Sequence, residues 1–213
     1  MDGILSGSEI EDLIKKDVSD PESLIITPLL NKGKQIGSDG VDIRLGTYFI
    51  VHSRTTVPCI KFGPKRSPES IAEVQSKIHI PLGQQIIIQP STFVLGSTLE
   101  YIKLPYNLYG GVGSRSSWGR LGLVIATAIN IHPYFRGCLT LELVNHGNIP
   151  IALTPGALIG QLILHRISKA PKEEKELTGK YPGSTRPEFS KIFEEYKTVK
   201  DLQKISDEYH AEI

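Results

Sequence analysis

Two cysteines, one methionine and one tryptophan are all that this 213-residue sequence contains of those residue types. Cys59 and Cys138 lie far apart and form no CxxC pair, so the sequence suggests neither a disulfide framework nor a zinc knuckle. It also lacks an apolar run long enough to span a membrane, and its N-terminus lacks a signal-peptide pattern. We therefore expect a cytoplasmic protein with no membrane partner.

The sequence also lacks an excess of charge of either sign. Its 24 lysines and arginines against 23 acidic residues leave a formal net charge of +1. Nothing in this balance indicates a broad nucleic-acid surface. Any anion that the protein binds is therefore expected to be small and held by a local cluster.

Glycine and proline are abundant, with 20 and 14 residues, and they separate many short apolar runs. This pattern predicts an all-β fold of about ten strands without βαβ alternation, and so a jelly-roll or distorted barrel. Two of the predicted strands are Thr92–Gly96 and Leu99–Leu104. Another, Val41–Leu45, is a half-buried strand that carries Asp42 and Arg44 on its polar face. The alternative interpretation of these two charges is a solvated pair at a sheet edge.

Helices are predicted at both ends of the chain. Ser6 or Ser8 can cap a short N-terminal helix that continues to Lys16. Near the other end, apolar residues from Phe189 to Tyr209 recur at helical spacing. This stripe is expected to pack on the chain's own barrel or on a neighbouring subunit.

The composition becomes polar and charged after Ser168. We therefore predict a β domain over residues 1–168, followed by a C-terminal segment over residues 169–213 that comprises a linker and the helix. A shorter helix is predicted to begin at Ser67 and to end near Val74.

A Ser/Arg-rich segment holds the first group of candidate functional residues. Ser114, Ser116 and Ser117 surround Arg115 ahead of a predicted helical turn. Hydroxyls, a guanidinium and free backbone N–H groups together are typical of a phosphate site at a helix N-terminus. No GKS or GKT follows, so the segment is not a P-loop, and an ordinary serine-capped turn with a surface arginine remains the alternative.

Glu142 is the single acidic residue of an otherwise uncharged strand. Leu141 and Leu143 flank it, and an ionised carboxylate is costly to bury unless it is paired. We therefore expect a raised pKa for Glu142, which suits general acid–base catalysis near neutral pH. A salt bridge to Arg120 or Arg44 is the alternative interpretation.

The six histidines form no cluster with metal-ligand spacing. His132 precedes Pro133 in a turn, where a histidine is more often a surface residue than a catalyst. The triplet from His210 to Glu212 has the HxE pattern of zinc deaminases, but the sequence has no PCxxC. A zinc site is therefore rejected.

Several short motifs are spread over nearly the whole chain. They are Ile4–Ser6, Gly40–Gly46, Arg115–Gly122, Gly137–Glu142, Pro155–Leu162 and Lys180–Gly183. In this order they resemble the deoxycytidine triphosphate (dCTP) deaminases of the trimeric dUTPase-like superfamily. The resemblance implies a distorted jelly-roll or β-barrel (β-clip) fold, a homotrimer and active sites at the subunit interfaces.

The resemblance implies zinc-independent, hydrolytic deamination of dCTP to dUTP and ammonia, which supplies dUTP for the dUMP and dTTP pathway. Glu142 matches the general base that activates water for attack on C4 of cytosine. Ser116 and Arg120 match residues that position this water and steady the tetrahedral intermediate. Arg115, Ser116 and Ser117 match phosphate contacts, and Mg²⁺ is expected to bind through the triphosphate.

Further substrate contacts are implied in the same way. Thr127 and Ala128 match backbone that reads the base edge. Phe135 matches an aromatic residue that packs on the deoxyribose and disfavours a 2′-hydroxyl. Lys180 and Tyr181 match a C-terminal segment that closes over the triphosphate.

The sequence departs from the family pattern at two positions. His132, expected near the sugar, stands where relatives commonly carry an aspartate that activates water for phosphate hydrolysis, and this argues against pyrophosphatase activity. Arg186 stands where deaminases usually have glycine. The alternatives are a dUTP pyrophosphatase, a bifunctional dCTP deaminase–dUTPase, or a non-catalytic regulator that binds nucleotides.

Overall fold

The computed structural model describes residues 3–53, 56, 59–60, 74–126, 130–168, 183–192 and 196–211. The chain divides into two compact units, one of residues 1–51 and 77–188 and one of residues 52–76 and 189–213. The helix predicted to begin at Ser67 and the linker predicted after residue 168 lie outside the described residues. The predicted domain boundary at residue 168 stays a prediction.

Twelve strands and four helices make up the described part of the chain. The strands are β1 (Ile25–Thr27), β2 (Val41–Arg44), β3 (Tyr48–His52), β4 (Gln75–His79), β5 (Ile86–Ile88), β6 (Phe93–Lys103), β7 (Leu108–Ser114), β8 (Leu123–Ile125), β9 (Asn130–Ile131), β10 (Arg136–Asn145), β11 (Ile151–Leu153) and β12 (Leu158–Arg166). The helices are α1 (Gly7–Lys15), α2 (Lys32–Gln35), α3 (Ser116–Gly119) and α4 (Tyr196–Ala211). The prediction of a mostly-β fold with a helix near each end is confirmed. No helix in the described ranges has the length and apolar character needed to cross a membrane.

The strands form two large sheets and one small sheet. The largest has the order β4-β3-β6-β10-β8, with β1 also paired to β6. The second has the order β2-β12-β7-β9, and β5 pairs with β11. The central pairs, β6 with β10 and β12 with β7, are antiparallel, although the strands of each pair are not consecutive in the chain.

Alternation along the strands builds the core. In β10, Leu139, Leu141 and Leu143 are buried, and the residues between them are only half-buried. In β2, Val41 and Ile43 are buried in the same way, so the predicted strand with a charged opposite face is confirmed. Apolar side chains of both large sheets join in one buried cluster, which stabilises the fold by about 25 cal/mol for each Å² of apolar surface removed from water.

A capping box fixes the start of α1. The Ser6 hydroxyl accepts the N–H of Glu9, and the Glu9 carboxylate accepts the N–H of Ser6 at 3.0 Å. Two N–H groups that the first helical turn leaves without partners are thereby satisfied. Of the two predicted caps, Ser6 is therefore the N-cap, and the helix buries Ile10 and Leu13.

The prediction of two separate strands at Thr92–Gly96 and Leu99–Leu104 is wrong, because β6 runs unbroken through both. Gly96 lies inside β6, and a Cβ atom there would come within 3.3 Å of Leu45 and 3.4 Å of Phe49. The glycine therefore leaves room for core side chains of neighbouring segments instead of ending a strand.

The C-terminal helix begins later than its apolar stripe suggested. Phe189 has no helical conformation, and the Ser190 hydroxyl accepts the N–H of Ile192 at 3.3 Å, a bond that competes with helix formation. Within α4, Val199 and Leu202 are 43% and 61% exposed.

Glu100, in the middle of β6, is a charged residue with no exposed surface. Its carboxylate accepts the backbone N–H of Arg44 at 2.8 Å and the Nε2 amide of Gln35 at 3.0 Å. Burial raises the pKa of Glu100, although these N–H donors and the nearby Arg44 guanidinium oppose the shift. Glu100 therefore ties α2 and β2 to the largest sheet through a carboxylate that is costly to ionise.

We predict that Glu100 makes the free energy of unfolding depend on pH. A carboxyl group whose pKa is raised in the folded state binds more protons there than in the unfolded state. Its favourable contribution is therefore complete below the ordinary value of 4.5 and is lost as the pH rises through the raised pKa. Relative to Glu100→Gln, the wild type should lose about 1.4 kcal/mol per pH unit across that interval in denaturant unfolding.

Asn148→Ala is the control, because Asn148 lies at the exposed surface and carries no titratable group. Its difference from the wild type should stay nearly constant over the same pH range. A wild type that gains stability over Glu100→Gln as the pH rises would contradict the assignment.

Candidate active site

The Ser/Arg-rich turn follows β7 directly. Arg115 is the N-cap residue of α3, and its carbonyl accepts the N–H groups of Trp118 and Gly119 at 3.0 and 3.1 Å. Ser116 and Ser117 are exposed. Because α3 is a single turn, it contributes a small dipole, and the predicted phosphate site depends on side chains and N–H groups more than on a helix N-terminus.

Trp118 anchors this turn to the sheet. Its indole Nε1 donates to the carbonyl of Leu158 at 2.8 Å, and its ring packs against the buried cluster. Arg120 follows with an exposed side chain, and its backbone N–H donates to Ser116 at 3.0 Å. The two serines and Arg120 therefore lie at the surface of a turn that Trp118 holds against the sheet.

Asp42 is the partner of Arg115. The Oδ2 atom of Asp42 lies 3.5 Å from Nη1 of Arg115, and both side chains are only partly exposed. The sheet explains the pairing, because Gln161 of β12 stands opposite both Asp42 and Gly113. The solvated edge pair of Asp42 and Arg44 is therefore wrong: Arg44 donates from Nη1 to the carbonyl of Gly156 at 2.7 Å.

Glu142 lies on β10 between β6 and β8 and is half-buried. The expectation of a fully buried carboxylate is therefore wrong for the single chain. Leu141 and Leu143 point to the core, so alternation places the Glu142 side chain on the opposite face, which these leucines do not cover.

Strand β8 links the two groups of predicted catalytic residues. Ile125 donates its backbone N–H to the hydroxyl of Ser114 at 3.1 Å. The next residue, Ala126, donates its N–H to the carbonyl of Glu142 at 2.7 Å. The turn at residues 115–120 (the arginine turn) and the Glu142 segment are thus held by two successive residues, Ile125 at the end of β8 and Ala126 directly after it.

The turn at residues 132–135 holds the predicted sugar contacts. His132 is exposed, and its carbonyl accepts the N–H of Phe135 at 3.2 Å. The carbonyl of Phe135 accepts the N–H of Leu104 at 2.9 Å, and its ring packs against the buried cluster. Both residues therefore have a fixed backbone, while His132 projects to solvent.

Within a single chain, this turn lies far from the arginine turn. Strand β9 pairs with β7 so that Ile131 stands opposite Gly110, and His132 continues away from the end of β7 at which Arg115 lies. The five residue steps from Gly110 to Arg115 correspond to roughly 17 Å of extended chain. The structure therefore does not bring the predicted phosphate and sugar contacts together within one chain.

The tail near Arg186 docks on the start of β10. Cys138 donates its N–H to the carbonyl of Ser184 at 2.8 Å, and a Cβ atom on Gly137 would lie only 2.5 Å from that same carbonyl. The guanidinium of Arg186 lies 4.0 Å from the ring centre of Tyr48. This cation–π contact gives a structural role to a residue that departs from the family pattern.

Four predicted contacts, Thr127, Ala128, Lys180 and Tyr181, lie outside the described residues. Within the described ranges, no group of three or more histidine, cysteine, aspartate or glutamate side chains could share a metal ion. Asp42, Glu100 and Tyr134 were missed as site or structural residues. Only Glu100 had a local signal, an acidic residue in register with the apolar positions of a strand.

The arrangement can perform two kinds of chemistry. A partly accessible carboxylate at Glu142 can take a proton from a water molecule. The guanidinium of Arg115, the exposed Arg120 and the serine hydroxyls can donate hydrogen bonds to an anion or to developing negative charge.

Comparisons with known proteins agree with this chemistry. A family model described as dCTP deaminase-like matches residues 4–167. A dCTP deaminase of Halorubrum lacusprofundi is 36% identical over 192 residues, which cover 89% of this chain and 91% of the relative. A "dCTP deaminase, dUMP-forming" of Coprothermobacter proteolyticus is 40% identical over 191 residues, covering 89% and 96%.

The fold has a known counterpart as well. The crystal structure of 2′-deoxycytidine 5′-triphosphate deaminase from Agrobacterium tumefaciens matches with a TM-score of 0.58 and 21% identity over 78% of this chain. The match spans 49% of that longer chain. This match shows a shared fold, and the family model and the two relatives show that this chain belongs to the dCTP deaminase-like family.

Proposed function

We propose that this protein deaminates dCTP to dUTP and ammonia, without zinc, and so supplies dUTP to pyrimidine deoxynucleotide synthesis in the cytoplasm. The observation that carries the proposal is the connection between Glu142 and the arginine turn through Ile125, the last residue of β8, and the following Ala126. Relatives named dCTP deaminase that match nearly the whole chain support the choice of substrate.

In the proposed reaction, the Glu142 carboxylate accepts a proton from water while the water oxygen bonds to C4 of cytosine. Glu142 passes this proton to N3 of the ring. The tetrahedral intermediate then collapses: the bond from C4 to the amino nitrogen breaks, the proton of the added hydroxyl passes through Glu142 to the departing ammonia, and C4 keeps a carbonyl oxygen. Ser116 and Arg120 donate hydrogen bonds that hold the water and the intermediate. General base catalysis contributes about 10²–10⁴-fold, and the preorganised donors contribute much of the rest.

Arg115, Ser116 and Ser117 bind the triphosphate in this proposal. Their support is an exposed turn in which Asp42 already orients the Arg115 guanidinium. Mg²⁺ accompanies the triphosphate and neutralises part of its charge, since this ion keeps several waters and needs few protein ligands.

We also propose that the protein is a homotrimer with active sites between subunits. The supporting observation is the roughly 17 Å of extended chain between the sugar turn and the arginine turn, since the sugar and phosphates of one nucleotide are bonded together. In a site completed by the arginine turn of a neighbouring subunit, the sugar contacts and the phosphate contacts can reach the same nucleotide. Cyclic symmetry produces such heterologous contacts in a closed ring.

A dUMP-forming reaction is the second candidate. It is favoured by the name of the relative that is 40% identical. His132 favours the first candidate, because the exposed histidine offers no carboxylate to activate water for attack on a phosphate. Pyrophosphate release alongside ammonia distinguishes the two.

The first test of the proposal is Glu142→Gln. The amide keeps the shape of the side chain but accepts no proton, so kcat for ammonia release from dCTP should fall by about 10²–10⁴-fold with dCTP affinity nearly unchanged. Ammonia, dUTP, dUMP and pyrophosphate are quantified after incubation with dCTP and Mg²⁺.

Glu11→Gln, on the exposed face of α1, should leave the rate at the wild-type level. A Glu142→Gln variant as active as the wild type would exclude Glu142 as the base. Tight dCTP binding by a wild type that releases no ammonia would favour the non-catalytic regulator.

Mixing subunits tests the interfacial site. Arg115→Ala and Phe135→Leu subunits are each expected to be poorly active, because each removes one side of every site. After unfolding and refolding together, about a quarter of the sites should combine a native Arg115 with a neighbour's native Phe135, and activity should return to that extent. Preparations refolded separately and then combined are the control. Mixed preparations that remain as inactive as the controls would show that each site is built from one chain.

A further inference from the structure

The turn that presents Phe135 contains an unusual backbone conformation. The hydrogen bond between Phe135 and His132 closes a four-residue turn with Pro133 and Tyr134 at its centre. Tyr134 has a φ angle of +64°. Glycine or asparagine is favoured at this position of such a turn, and a bulky aromatic residue there is strained unless its surroundings hold it.

Tyr106 supplies a contact that holds Tyr134. The two rings lie with their centres 6.4 Å apart and their planes at 34°, within the range of attractive aromatic pairs. The hydroxyl of Tyr106 also donates to Oε1 of Glu22 at 3.1 Å. Lys16, next to the end of α1, donates to the other oxygen of Glu22 at 2.7 Å. A chain of contacts therefore runs from Lys16 to the turn.

The hydrogen bonds that Glu22 accepts from Lys16 and Tyr106 shift the pKa values of Glu22 and Tyr106 in the directions that maintain these bonds. The hydrogen bonds from Lys16 and then from Tyr106 lower the pKa of Glu22. The same bond to Glu22 raises the pKa of Tyr106. Glu22 is therefore an ionised acceptor at neutral pH, and Tyr106 keeps the proton that it donates.

One short segment holds both halves of the turn. Leu104, which is 1% exposed, donates its N–H to the carbonyl of Phe135, and Tyr106 lies two residues further along the chain. The segment from Leu104 to Tyr106 thus contacts Phe135 through the backbone and Tyr134 through its ring.

We infer that Tyr106 and Tyr134 are positioning residues for sugar selection. By holding the turn in its strained conformation, the ring pair sets where Phe135 meets the sugar and thereby controls discrimination between deoxyribose and ribose. The inference rests on the proposed function, in which Phe135 packs on the deoxyribose of dCTP. Neither tyrosine needs to touch the nucleotide.

Tyr134→Gly separates positioning from stability. Glycine adopts the positive φ angle without strain but removes the ring. We expect an unchanged or raised Tm together with a ratio of kcat/KM for dCTP over CTP that falls roughly three- to tenfold, the factor that corresponds to a lost aromatic pair.

Tyr106→Leu should lower the ratio similarly, and the double variant should lose no more than either single variant. Tyr106→Phe is the matched control, because it keeps the ring and loses only the bond to Glu22.

Amide hydrogen exchange without nucleotide provides a readout independent of activity. The N–H groups of Leu104 and Phe135 should exchange faster in Tyr134→Gly and Tyr106→Leu and at nearly the wild-type rate in Tyr106→Phe. Unchanged exchange in the first two variants would overturn the inference, as would faster exchange with an unaltered dCTP/CTP ratio. A wild type that releases no ammonia would overturn the proposed function, and the exchange rates would still decide whether the ring pair holds the turn.

Discussion

Alternation along β10 is the constraint on which both the core and the site depend. Leu139, Leu141 and Leu143 must face the buried cluster, and the pleat then forces Glu142 to the other face. The backbone of the same strand pairs with β6 on one side and with β8 on the other. The strand that closes the core thus presents the proposed base, and a shift of one residue in register would bury Glu142 and expose the leucines.

Glu100 and Glu142 lie in neighbouring strands, and their different burial explains why their roles differ. Glu100 has no exposed surface and is surrounded by N–H donors from α2 and β2, so it links elements of the fold. Glu142 is half-buried, lies beside β8 and can be reached by water. Only the second has the access to water that a general base needs.

Features with local causes could be predicted from the sequence. The capping box at Ser6 and the alternation of β2 depend on residues a few positions apart, and both are confirmed. The pairing of Asp42 with Arg115 could not be predicted, because it follows from the register of three strands that are distant in sequence. Gly96 was misread for a similar reason, since it makes room for Leu45 and Phe49, which are distant from it in sequence. The strained Tyr134 also depends on a distant ring.

The central claim is that water attacks C4 of cytosine under the control of Glu142. Incubation of dCTP with the protein in oxygen-18 water, followed by mass spectrometry of the base and phosphate fragments of the product, tests this most directly. Attack of water on C4 should place a single heavy oxygen on the base and none in the phosphates. A heavy oxygen in the phosphates alone, or an unlabelled product, would contradict it.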